Sequence, residues 1–140
     1  MFCYPVELTP DNENGGFLVG YPDFPFVHSV GDTLEEALRE AVDGIESGIG
    51  HFFETRQPVP LPSAAKNGQH TVELPAVTVA KVLLHNEMIA QGIKKAELAR
   101  RLDIAPPSVE RIFNVRYKTR IETLEAAFKS LGRNMEIIMA

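Results

Sequence analysis

Lys95-Ala-Glu-Leu-Ala-Arg-Arg-Leu-Asp-Ile-Ala-Pro-Pro-Ser-Val-Glu-Arg-Ile-Phe-Asn114 is the stretch from which the rest of the chain is read. Leu98 and Leu102 are four residues apart and Val109 and Ile112 three apart, so each pair shares one face of a short helix. Ile104 plugs the turn between them, and Ala99 is small where the two helices would cross. This spacing predicts a helix-turn-helix, whose second helix projects into the DNA major groove. The turn position after Leu102, usually glycine, is Asp103, a residue type that enters the left-handed region readily. Pro106 and Pro107 suit the first turn of the second helix, where missing amide hydrogens cost nothing.

Cations surround this unit: Lys94, Lys95, Arg100, Arg101, Arg111, Arg116, Lys118 and Arg120. Asn114-Val-Arg-Tyr-Lys-Thr-Arg120 adds an aromatic ring and hydroxyls just past the second helix. Base edges favour Arg, Asn and Ser, which places Pro107, Ser108, Arg111 and Asn114 near bases. Phosphates favour cations and hydroxyls, which assigns them Lys95, Arg116, Tyr117, Lys118 and Arg120. The plainer alternative is a small helical domain with a solvated basic face.

Outward from the motif, Pro75 opens an apolar run from Val77 to Ile89 that Gln91-Gly92 ends, a helix before the motif. Ile121 to Leu131, ended by Gly132, is a helix after it. Met135, Ile137 and Met139 alternate with Glu136 and Ile138, which predicts a closing strand. Paired with its copy in a second subunit, that strand would form a dimer interface of Met135, Ile137 and Met139 and remove an exposed edge.

The front half reads differently. Phe2, Tyr4, Val6 and Leu8 alternate with Cys3, Pro5 and Glu7 as a strand, with Pro5 arguing for an edge position there. Residues 11–16 (Asp-Asn-Glu-Asn-Gly-Gly) form a hairpin loop, Phe17 to Tyr21 a second strand, and Phe26 to Val30 a third. Thr33 and Glu36 fit a capping box for a helix carrying Leu34, Leu38, Ala41, Ile45, Ile49 and Phe52 at steps of three and four. Gly44 and Gly48 share a face of it, for close packing or by plain tolerance. Residues 57–69, with prolines at 58, 60 and 62, are a linker-like loop, and His70 to Leu74 is a fourth strand. The chain is therefore α+β. A β-β-β-α-β domain spans residues 1–74, and an all-helical domain ending in a short strand spans 75–140.

Length and charge agree with two small modules. The 140 residues carry a net charge of −5. Residues 1–75 hold 3 Lys/Arg against 12 Asp/Glu, and residues 76–140 hold 11 against 7. Net values of −9 and +4 point to oppositely charged partners. No apolar run is long enough for a membrane span, and no basic-then-apolar segment opens the chain, so export is not expected. The lone Cys3 excludes a disulfide framework and a paired-cysteine zinc site, in keeping with a reducing cytoplasm.

Catalysis is weakly indicated. The front half resembles half of a ribonuclease H fold, and Glu7, Glu36 or Glu40, and Glu73 occupy elements that carry that fold's metal-binding carboxylates. Glu7 and Glu73, however, lie opposite the apolar faces of short strands, and the module is too short for the full sheet. His28, His51, His70 and His85 are scattered without ligand spacing. The expectation is no catalytic residue, no metal and no cofactor. The acidic excess around Asp23, Asp32, Glu35, Glu36, Glu40, Asp43 and Glu46, interleaved with Tyr21, Phe24 and Phe26, instead describes a protein-binding patch for a basic partner.

Gly15-Gly-Phe-Leu-Val-Gly-Tyr-Pro-Asp-Phe-Pro25 and Gly31-Asp-Thr-Leu-Glu-Glu-Ala37 resemble the signature of HicB antitoxins. Ala80-Lys81, Glu97-Leu-Ala-Arg-Arg101 and Leu131-Gly132 look like the helix-turn-helix branch of that family. Phe26 stands where many members have glycine. The resemblance implies a type II toxin–antitoxin system with a truncated ribonuclease-H-like front domain. That domain covers a HicA toxin, a small basic ribonuclease that cleaves mRNA, with Tyr21, Asp23, Phe24, Phe26, Asp32, Glu35 and Glu36 as candidate contacts. The back domain would bind operator DNA and repress the shared operon as a dimer or tetramer. A helix-turn-helix regulator with a ligand- or protein-sensing front domain is the alternative, and a metal-dependent nuclease a further one.

Overall fold

The computed structural model describes residues 2–140. Its elements run β1 (Cys3–Pro10), β2 (Phe17–Gly20), β3 (His28–Gly31), α1 (Leu34–Thr55), β4 (His70–Glu73), α2 (Ala76–Gln91), α3 (Lys95–Leu102), α4 (Pro106–Ile112) and α5 (Ile121–Ser130). The contacts divide into two compact units, residues 1–52 with 60–75, and residues 53–59 with 76–140.

The first unit is a four-stranded antiparallel sheet in the order β3-β2-β1-β4 with α1 contributing to its core. Alternation along β1 buries Tyr4 and Val6, and Val19 of β2 and Val72 of β4 join them. From α1 come Ala37, Ala41, Ile45 and Ile49, all fully buried. Leu34, expected on this stripe, is instead exposed.

β1 lies between β2 and β4 in the sheet, yet at Pro5 it has a strand partner on one side only, the local edge its sequence suggests. The pairing is staggered: β4 meets Cys3–Val6 and β2 meets Glu7–Pro10. At Pro5 the β2 side of β1 therefore has no strand partner, and an edge of that kind is where a missing amide hydrogen is tolerated.

The start of α1 is capped as its sequence suggests, with one shift. The Glu36 amide donates to Thr33 Oγ1 at 3.1 Å, and the Glu36 carboxylate accepts from the amide of Asp32, one residue before the cap. Gly44 and Gly48 are packing slots: a Cβ on either would run into the ring of Tyr21 or Phe24 respectively.

Residues 57–69 are loop throughout, and they are fastened rather than free. Within the second unit, the Val59 amide and carbonyl pair with the Asn86 side chain at 2.8 and 3.0 Å, and Gln57 O lies 2.8 Å from His85 Nε2. Within the first, Tyr4 donates its hydroxyl to Pro60 O at 2.6 Å, and Asp23 accepts from the amide and hydroxyl of Ser63. Residues 53–59, placed by the sequence reading with the front module, thus pack with the helices.

The second unit is built from α2 to α5. Leu98, Val109, Ile112, Leu124 and Ala127 close its core, with Phe53, His85 and Phe113 forming a ring cluster beside them. Gly132 takes φ +74 and, with Arg133, returns amides to the last turn of α5, ending it. The closing strand expected over Met135–Met139 is not formed; residues 133–140 make no regular element. Ile137, Ile138 and Met139 are 77, 83 and 93% exposed. A strand exists only by pairing, and among the described residues none pairs with this segment.

Candidate functional site

In the second unit, α3 and α4 are joined by Asp103 in the left-handed conformation, φ 52° and ψ 50°. The Ile104 amide bonds back to Ala99 O at 3.1 Å, closing the turn. Pro106 and Pro107 stand at the first positions of α4 after Ala105. Buried Leu98, Ala99, Val109 and Ile112 hold the pair together, with Leu102 and Ile104 half-buried.

Of the residues expected near DNA, Pro107, Arg111, Asn114, Arg116, Tyr117, Lys118 and Arg120 are exposed, and Lys95 and Ser108 are half-buried. Lys95 lies on α3; the others follow one another along the chain from α4 through the loop 114–120 to the residue before α5. Lys95 is engaged: its ammonium lies 3.1 Å from the Glu110 carboxylate and 5.6 Å from the Phe113 ring centroid. Arg100 and Arg101 share the Glu97 carboxylate, and Arg101 also donates to Ser130 O at 2.7 Å. Those two hydrogen bonds, Arg100's first, hold the Glu97 carboxyl below its usual range. Asn114 Oδ1 accepts from the Arg116 amide at 3.1 Å and so shapes the loop.

Beneath this loop lies a residue that sequence reasoning did not single out for a role. Lys81 of α2 is fully buried. Its ammonium donates to the carbonyls of Arg111 (3.3 Å), Asn114 (2.8 Å) and Tyr117 (2.6 Å), and lies 5.9 Å from the Tyr117 ring centroid. Burial draws its pKa down to about 8. A signal was present: Lys81 falls three residues after Thr78 and four before His85, on the buried stripe of α2. The Thr119 hydroxyl in the same loop is buried without a hydrogen-bond partner.

In the first unit the acidic patch is only partly what its sequence suggests. Tyr21 and Phe24 are core residues, 3% and 0% exposed. Tyr21 shares a 2.7 Å hydrogen bond with Ser29 Oγ and donates to Glu40 O at 3.3 Å, and burial raises its phenol pKa. Neither ring can be a surface contact; both shape the face from below. The reason is the paired slots at Gly44 and Gly48, which admit the two rings against α1. Phe26 is half exposed, its ring 4.8 Å from that of His51 and 5.9 Å from that of Phe52. Asp32 and Glu35 are exposed at the start of α1, Glu35 paired with Arg39 at 3.1 Å, and Glu36 and Asp23 are half-buried.

The carboxylates of the nuclease alternative do not converge. Glu73 stands opposite Cys3, four residues along β1 from Glu7, a separation of about 13 Å along the strand. Glu7 is bound instead to the Gln69 side chain at 2.8 Å. Among the described residues no group of three His, Cys, Asp or Glu side chains could hold a metal ion. Among them, too, no helix is long and apolar enough to cross a membrane.

A family model described as the HicB_like antitoxin of a bacterial toxin–antitoxin system matches residues 3–83. The chain is 35% identical to the antitoxin HicB of Escherichia coli K12 over 136 residues, 97% of this chain and 98% of the relative. It is 38% identical to antitoxin HicB 2 of Photorhabdus laumondii over 96% of this chain and 94% of that one. It is likewise 38% identical to antitoxin HicB of Pseudomonas fluorescens over 96% and 92%. With both matches spanning more than half its length, the chain belongs to the HicB family of antitoxins of bacterial toxin–antitoxin systems.

Proposed function

We propose that this antitoxin has two binding faces: an acidic front unit that neutralises a small basic HicA-like ribonuclease, and a helical back unit that binds operator DNA through a helix-turn-helix of α3 and α4. The observation that carries the reading is the run of exposed Arg111, Arg116, Lys118 and Arg120 at the end of α4 and beyond it. DNA affinity is dominated by cations on phosphates, and a chain of net charge −5 concentrates its cations in this unit. The front unit acts oppositely: Asp32 and Glu35 at the start of α1, beside the half-exposed Phe26, compete for the cations with which a ribonuclease holds RNA. The role is regulatory rather than enzymatic, and the setting is the cytoplasm.

A helix-turn-helix reads half-sites about one helical turn apart, so the working form is a dimer, paired further into a tetramer if the front units also associate. The segment of half-buried Met135 and exposed Ile137 and Met139 is proposed to pair with its copy, and there it gains the strand partner that it lacks among the described residues.

The test is an operator titration of the full-length chain with a duplex from upstream of its own coding sequence. Sequence-specific, salt-dependent binding supports the reading. Equal binding to operator and unrelated duplex would remove the repressor role.

A further inference from the structure

We infer that Lys81, a residue that faces the protein interior and not DNA, positions the loop 114–120 that grips the phosphate backbone; the inference rests on the DNA-binding reading above. A lysine ammonium has three donors and no acceptor. Here all three find carbonyls, those of Arg111, Asn114 and Tyr117, at 3.3, 2.8 and 2.6 Å. The first belongs to the last turn of α4, the other two to the loop.

The carbonyls at a helix C-terminus carry partial negative charge, and a cation placed there is held by it. A buried charge is tolerated only where hydrogen bonds replace its water. Lys81 is fully buried, and its hydrogen bonds go to these backbone carbonyls. The constraint therefore runs both ways: the ammonium fixes the path of the loop, and only that path satisfies the ammonium.

The loop's functional groups lie between the tethered carbonyls or just after the last of them. Arg116 lies between Asn114 and Tyr117, and Lys118 and Arg120 follow directly. Tyr117 is drawn in further, its ring centroid 5.9 Å from the Lys81 ammonium and 5.8 Å from the Arg111 guanidinium. Arg111 and Lys118 are thus set by one buried cation, 30 residues or more away in sequence. An apolar side chain of similar volume would fill the same space without directing the loop, so the charge adds direction where bulk alone would suffice for packing.

The experiment is a salt series of operator binding by full-length chains, read by fluorescence anisotropy on a duplex from upstream of the gene. Lys81→Met keeps the length of the side chain and removes its donors. It is expected to weaken binding at least tenfold and to flatten the slope of log affinity against log salt by about 1–3, one to three phosphate contacts. Lys81→Arg, which keeps charge and donors, is expected to retain most of the slope. Combined with Lys118→Ala, Lys81→Met should cost less than it does alone, because the contact it positions is already gone.

Unchanged affinity and slope in Lys81→Met, or costs that simply multiply in the double variant, would overturn the inference. A wild-type chain indifferent to salt and sequence, or one whose affinity Lys118→Ala leaves intact, would instead overturn the DNA-binding reading beneath it. Should Lys81→Met not fold, amide exchange on the wild-type chain decides. Protection of the Arg116 and Tyr117 amides, both bonded to Asn114, in step with α4 supports the tether, and exchange of these two more than tenfold faster than α4 contradicts it.

Discussion

A Cβ placed on Gly48 would stand 2.6 Å from the ring of Phe24, a side chain with no exposed surface. The ring cannot retreat, because Tyr4 lies 5.1 Å from it on one side and Phe52 6.1 Å on another, centroid to centroid. Gly48→Ala should therefore destabilise the chain by about 1–3 kcal/mol through overpacking, despite the gain in helix propensity. Gly50, two residues on in the same helix, would meet nothing within 4 Å. Gly50→Ala should stabilise by up to about 1 kcal/mol. Urea midpoints of the two variants check both, and a Gly48→Ala midpoint at or above wild type would show that the slot is not filled as described.

Asp103 carries the turn between α3 and α4 at φ 52°. Asp103→Gly should be close to neutral, whereas Asp103→Val should cost about 1–2 kcal/mol, because a branched side chain resists the left-handed region. Thermal denaturation orders the three chains, and equal midpoints for the Val and Gly variants would contradict it.

Lys81 makes stability depend on alkaline pH. Its pKa is drawn from 10.5 to about 8 by burial, so between those values the unfolded chain holds a proton that the folded chain has released. Stability from this group rises with pH across that window, and below pH 8 the buried charge is carried at a cost. The free energy of wild type minus that of Lys81→Met should increase from pH 8 to 10. Tyr4 and Tyr21, raised by burial, act in the other direction above pH 10, where the unfolded chain loses protons first. A difference that is flat from pH 8 to 10 would contradict the assignment.

Arg111 stands exposed at the last turn of α4. Arg111→Ala should cost about 1–3 kcal/mol at one operator position and relax specificity there, while Lys118→Ala should weaken all sequences alike. Equal losses by Arg111→Ala across operator variants would show that it contacts phosphate, not a base.

Truncation after Gly132 removes the exposed segment that ends in Ile137, Ile138 and Met139. The mass from light scattering should fall toward that of one chain. An unchanged mass would remove strand pairing as the dimer contact.

How much was legible depends on what periodicity can carry. The spacing of Leu98, Val109 and Ile112 reports burial directly, and α3 and α4 form where that spacing places them. The order β-β-β-α-β is equally legible, since alternation and capping are local. Tyr21 and Phe24 are not, because an aromatic beside acidic residues reads alike whether it packs inward or outward. Only the opposing Gly44 and Gly48, more than 20 residues away, settle which. Lys81 hides for the same reason: its three acceptors are backbone carbonyls, which leave no mark on residue type. The strand expected over Met135–Met139 has an alternating pattern and no strand partner among the described residues.

The division of labour between the two units is tested most directly by cleavage of a labelled mRNA by the small basic ribonuclease expected from the adjacent gene, at one equivalent of full-length chain. The account predicts suppressed cleavage by wild type and by the operator-defective Lys118→Ala/Arg120→Ala chain alike, and restored cleavage when Asp32→Lys and Glu35→Lys are introduced. Cleavage that proceeds unchanged in the presence of the wild-type chain would contradict it.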